Sequence, residues 1–120
     1  MDFTLLPEVG INVRDALKRL DGNEALFAEM LRRFADDNSY REIVKAPELK
    51  NSGKLLADSH MLKGLCGILS LTPLYELLSR QVDLLRAGDC ESAAALAPKI
   101  SECYDEITSA IRRWAANSQQ

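Results

Sequence analysis

The sequence predicts an all-α protein, an antiparallel up-down four-helix bundle with a short extra helix at the N-terminal end. Three observations predict it. Apolar residues recur at i, i+3 and i+4 through four long stretches. Short connections containing Gly, Pro, Asn and Asp separate those stretches. No alternation of useful strand length occurs, and no internal repeat. At 120 residues the chain is one domain, long enough for a core but not for two.

Residues 1–10 contain Pro7 and Gly10 and read as a lead-in arm. Asn12 is placed to cap a short helix with apolar positions at Val13, Ala16, Leu17 and Leu20. Asp21-Gly22 ends it and Asn23 caps the next, which carries Leu26, Phe27, Met30, Leu31 and Phe34 on one stripe. The pattern thins through Asp36-Asp37-Asn38-Ser39 and resumes at Ile43 and Val44, so one helix is expected to about Lys45. Pro47 and Asn51-Ser52-Gly53 mark a turn, with Ser52 as the expected cap of the third long helix. Thr72-Pro73 restarts the chain as cap and first helical residue of a fourth, lined by Leu74, Leu77, Leu78, Val82 and Leu85. Ala87-Gly88-Asp89 closes that helix and opens the last, with Leu96, Ile100, Cys103, Tyr104, Ile107, Ile111 and Trp114 at helical spacing. Pro98 inside this run is expected to kink or delay it. The bundle spans residues 11–116, and 117–120 form a polar tail.

Composition narrows the function classes. Hydrophobic residues at 47% and charged residues at 28% describe an ordinary globular protein. A net charge of -3 without a Lys/Arg cluster argues against nucleic acid. No apolar run has the length of a membrane span, and Met1-Asp2-Phe3-Thr4 lacks a signal-peptide start. Three cysteines, Cys66, Cys90 and Cys103, without CxxC spacing fit reduced thiols, and a cytoplasmic location is expected. One histidine and scattered cysteines supply no metal site.

That histidine, His60, falls in the middle of the third long helix, within Ser59-His60-Met61-Leu62-Lys63-Gly64-Leu65-Cys66-Gly67. Unwinding residues 53–71 at about 100° per residue places Gly53, Leu56, Ala57, Lys63, Gly64, Gly67 and Leu71 within about 60° of His60. Leu55, Leu62, Leu65, Cys66 and Leu69 form the opposite, core-facing stripe. The His60 face is therefore low in relief. Each interior glycine costs a helix about 1 kcal/mol against alanine. Gly64 and Gly67 on one face imply that something approaches the backbone there, either a partner molecule or a neighbouring helix.

His60-Met61-Leu62-Lys63-Gly64 resembles the H-x-L-K-G core of histidine-containing phosphotransfer (HPt) domains, the relay modules of two-component signalling. Ile11-Asn12-Val13, Leu20 through Phe27 and Leu31-Arg32-Arg33-Phe34 resemble the opening of such modules, in particular those at the C-terminal end of hybrid sensor kinases. The Gly88-Asp89 turn and the last long helix are similar too. The likeness covers about residues 10–115 and departs from the family at three places. Asp58 and Ser59 stand where the family usually has apolar or alanine residues, and Ser70-Leu71 where it often has Gly-Ala.

The resemblance implies a phosphorelay carrier, with His60 accepting a phosphoryl group from a receiver-domain aspartate and passing it to another. Lys63 would stabilise the phosphoryl charge, and Gly64 and Gly67 would permit close approach. Leu56, Ala57 and Leu71 would form the apolar floor on which a response-regulator receiver docks. An imidazole in water titrates near about pH 6.5, so an exposed one offers a free ring nitrogen at neutral pH. Lys63 at i+3 is within reach of a group on that nitrogen. No G-x-x-x-x-G-K-[ST] loop or glycine-rich kinase box is present, so a carrier and not a kinase or other enzyme is expected. It would need no cofactor of its own, the partner receiver supplying Mg²⁺, and would act as a monomer, with a hybrid sensor kinase as a further partner. The competing reading is a non-catalytic helical module that binds a signalling partner without phosphorylation. The intact His60, Lys63 and Gly64 stand against it.

Overall fold

The computed structural model describes residues 1–118, and of the polar tail Gln119 and Gln120 lie outside the described residues. It is all-helical: a 3-10 turn at Pro7–Val9, then α1 (Val13–Arg19), α2 (Glu24–Asp36), α3 (Asn38–Lys45), α4 (Ser52–Leu69), α5 (Thr72–Arg86), α6 (Cys90–Ala95) and α7 (Ala97–Ser118). Among the described residues the only extended pairing is an isolated antiparallel bridge between Ile11 and Leu71.

Most boundaries are written in short polar side chains. Asn12, Asn23 and Asp89 accept from the backbone N–H of Asp15, Leu26 and Ser92, satisfying donors that a helix start leaves free. The cap of α4 is Asn51, which accepts from Lys54 N–H at 3.1 Å, one residue ahead of the expected Ser52. For α5 the cap position falls on Leu71, which has no side-chain bond to give, and Thr72 and Pro73 are the first helical residues. The single helix expected to run to Lys45 is two. Asp37 is extended (φ -74, ψ 113) and its carboxylate accepts from Ser39 N–H at 2.8 Å, so the side chain captures the backbone and restarts it as α3. The last helix expected to open at Asp89 is also two, α6 and α7, and Pro98 delays the long one without kinking it. It is the second residue of that helix, in the first turn, where a missing N–H leaves no bond unmade.

α4 and α5 pack more extensively than any other pair. Their contacts run antiparallel: Gly67 meets Tyr75, and Ser59 meets Gln81. α2 and α3 together lie along α7. Arg32 stands over the Trp114 ring at one end, and Lys45 bonds Ser101 and Asp105 at the other. Between these pairs sits a core of Phe27, Leu31, Phe34, Leu62, Cys66, Leu69, Leu74, Leu78, Tyr104, Ile107, Ile111 and Trp114. Full burial of a side chain this large is worth about 2–3 kcal/mol.

The lead-in segment is anchored in this core. Phe3 and Leu6 are buried, Phe3 lies 5.2 Å from the Phe27 ring and 5.5 Å from that of Trp114, and Trp114 Nε1 donates to Asp2 O at 2.8 Å. Gly10 then turns the chain with φ +83, and a Cβ there would stand 2.5 Å from the Pro73 ring. Only glycine fits so close to α5 in that conformation. Asn12 N–H donating to Ser70 O at 2.9 Å ties the start of α1 to the end of α4. This knot brings α1 alongside the C-terminal half of α4.

Candidate functional site

α4 is buried through Leu55, Ser59, Leu62, Cys66 and Leu69. Leu65, expected on that stripe, is half-buried at its edge, and Ser59 takes its place at the centre. The Ser59 hydroxyl donates to Gln81 Oε1 at 2.6 Å, and Gln81 Nε2 donates to Ala93 O at 3.0 Å, so the serine finds its partner across the helix pair. Asp58 is half-buried and accepts from Lys54 Nζ at 2.8 Å, one turn back; this bond holds the Lys54 ammonium above its ordinary pKa.

On the opposite side His60 is exposed and lines an open groove of about 570 Å³. α4 contributes Lys63, Gly64, Gly67 and Ile68 to it, α5 contributes Tyr75, and α1 contributes Asp15 and Arg19. The two glycines differ. A Cβ on Gly64 would meet nothing within 4 Å, so bare backbone faces open space beside His60. A Cβ on Gly67 would stand 3.2 Å from Tyr75 Cε2. The close approach expected at Gly67 is therefore made by the chain's own α5, whereas the one at Gly64 is left free.

The far wall of the groove is a clasp. Ser70 ends α4 in the left-handed region with φ +54, a conformation that costs an L-residue energy and persists where neighbours hold it. Arg19 Nη1 donates to Ser70 Oγ at 2.5 Å, Arg19 Nη2 donates to Asp15 Oδ2 at 2.7 Å, and Ser70 Oγ donates to the same carboxylate oxygen at 3.0 Å. The Ser70 hydroxyl first, and then the Arg19 guanidinium, hold the Asp15 carboxyl below its usual range. Beneath the groove, burial pushes the Cys66 thiol far up from its ordinary value, so it stays protonated and inert.

Of the residues read from the sequence, His60, Lys63, Gly64 and Gly67 come together in one groove. Ala57 is exposed, but neither it nor Leu56 lines that groove. Leu56 is half-buried against Leu55, Leu85 and Ala93. Leu71 is a correction. It is fully buried and pairs with Ile11, so it is not on the exposed face of His60. The 100° unwinding that placed it beside His60 assumes that α4 continues, and α4 stops at Ser70. Asp15, Arg19 and Tyr75 were not anticipated. Gly67 and Tyr75 are each four residues from Leu71, on either side of the turn, and that symmetry is the one trace of their contact in the sequence. Asp15 and Arg19 leave none.

Among the described residues no cluster of His, Cys, Asp and Glu is placed to hold a metal ion. Among the described residues no helix is long and apolar enough to cross a membrane. Comparison with protein-family models, with curated proteins and with solved structures returns no match to this chain.

Proposed function

We propose that the protein is a histidine phosphocarrier of the HPt kind, passing a phosphoryl group between receiver-domain aspartates through His60. In this reading α2 with α3, α4, α5 and α7 are the four arms of an antiparallel up-down bundle, and α1 is the extra N-terminal helix. The observation that carries the proposal is the open space at Gly64 beside the exposed His60. An imidazole attacking phosphorus in line must be reached by a bulky acidic pocket, and a residue without a side chain one turn away gives that pocket room.

The exchange balances on these residues. An unprotonated ring nitrogen of His60 bonds to phosphorus, the aspartyl oxygen–phosphorus bond breaks, and the carboxylate of the receiver leaves. Return of the group to a second aspartate reverses each step. The Lys63 ammonium offsets charge on the equatorial oxygens. Mg²⁺ and the carboxylates belong to the receiver, as does the apolar surface that meets α4.

The test is transfer of radiolabelled phosphate from phosphorylated receiver domains to the full chain. The wild-type protein takes up acid-labile label, and His60→Gln takes up none while its thermal unfolding is unchanged. Label retained by a folded His60→Gln protein overturns the assignment, as does a wild-type chain that no receiver labels.

A further inference from the structure

A side chain at position 67 would stand on the same face of α4 as His60 and Lys63. Gly67 supplies none, and the Tyr75 ring of α5 takes that volume, 3.2 Å and 3.5 Å from where a Cβ would be. Over the same ring, 5.8 Å from its centroid, lies Lys63 Nζ. Among the described residues Lys63 has no carboxylate within ion-pair distance, whereas Lys45 and Lys54 each have one. His60, Lys63, Gly67 and Tyr75 all line the one groove.

We propose that Tyr75 is a positioning residue: seated on the bare backbone of Gly67, its ring holds the Lys63 ammonium in the groove shared with His60. The inference rests on the phosphocarrier reading and gives Gly67 a different task from Gly64. A free lysine spreads its charge over many rotamers, and ordering it at the moment of transfer costs entropy. A carboxylate partner would order it too, but would neutralise the charge and compete with an incoming phosphoryl group. An aromatic face attracts the ammonium through its quadrupole and leaves the positive charge available. Tyrosine suits the place: its ring edge packs on Gly67 of α4 and the residue stays partly exposed, 38%.

The experiment uses the full chain and phosphoramidate, which needs no receiver. Its phosphorus–nitrogen bond breaks, the imidazole nitrogen–phosphorus bond forms, and ammonia leaves with the proton. Rates of His60 phosphorylation are followed by ³¹P NMR for wild type, Tyr75→Phe, Tyr75→Leu, Lys63→Gln and the Lys63→Gln/Tyr75→Leu pair. Tyr75→Leu is expected to slow the reaction about two- to fivefold, the size of an exposed cation–π contact. Tyr75→Phe restores the wild-type rate, and Tyr75→Leu adds nothing once Lys63 is gone. The Lys63 side-chain protons carry an upfield ring shift in wild type and Tyr75→Phe that Tyr75→Leu loses. Gly67→Ala, which pushes the ring without removing it, gives a smaller change of the same sign and serves if Tyr75→Leu is poorly folded. Equal slowing by Tyr75→Leu with and without Lys63, or no slowing at all, overturns the inference and leaves the carrier reading standing. A wild-type chain phosphorylated nowhere overturns both.

Discussion

On the side of α4 that faces the core, five residues are buried, and the one polar group among them, Ser59, is held by Gln81, which in turn reaches Ala93 of α6. On the other side, half a turn away, His60 projects into water beside a glycine with nothing near it. One side satisfies every requirement of a folded interior: apolar bulk, and a hydroxyl with a partner. The other forgoes what would stabilise a helix, namely a side chain at position 64. The difference teaches where α4 gives up stability beside His60, at the open Gly64.

The comparison can be broken most forcefully from the buried side. Gln81→Leu leaves the Ser59 hydroxyl without its partner and the Ala93 carbonyl with Leu96 N–H alone, and a loss of about 1–3 kcal/mol is expected in urea unfolding. Ser59→Ala should cost about 1 kcal/mol, and the Ser59→Ala/Gln81→Leu pair should recover part of the larger loss, because removing both partners leaves fewer orphans. Losses below about 0.5 kcal/mol would mean that the pair contributes little more than surface residues do.

The open side sharpens it next. Gly64→Ala is expected to raise stability by about 0.5–1 kcal/mol, since a Cβ there gains helix propensity and touches nothing. Gly67→Ala should gain less or lose, because its Cβ would press on Tyr75 at 3.2 Å. Equal gains in thermal unfolding would erase the distinction between the two glycines.

The smallest effect concerns the clasp at the end of α4. The folded-state pKa of Asp15 is lowered, so the carboxylate stabilises the fold above its unfolded pKa of about 3.9 and that contribution is lost as pH falls through the lower folded value. Asp15→Asn should therefore flatten the acid limb of a stability-versus-pH curve below about pH 5 and leave the neutral limb parallel to wild type. An unchanged acid limb would show that Arg19 and Ser70 hold the turn without the carboxylate.

Much of this was legible in residues 12, 23 and 89, whose short side chains mark helix starts by a bond that spans three positions. The two faces of α4 were legible for the same reason: helical geometry is local, so exposed His60 and buried Leu62 follow from a fixed angle per residue. Where that angle was carried past a hidden boundary it misled, at Leu71 beyond the left-handed Ser70 and through the extended Asp37. Those two breaks depend on backbone angles that a polar side chain selects only in competition with the helix.

The sequence by itself determined the helical class, the caps at Asn12, Asn23 and Asp89, and the pairing of one exposed imidazole with a glycine one turn away. Each of these is a relation between residues a few positions apart, which chain geometry enforces before any helix meets another. Only the tertiary structure decided that Arg19 would clasp Ser70, that Gln81 would answer Ser59, and that Tyr75 would fill the space at Gly67. Those contacts join side chains on different helices, and they exist because burying the apolar stripes sets how the helices lie against one another.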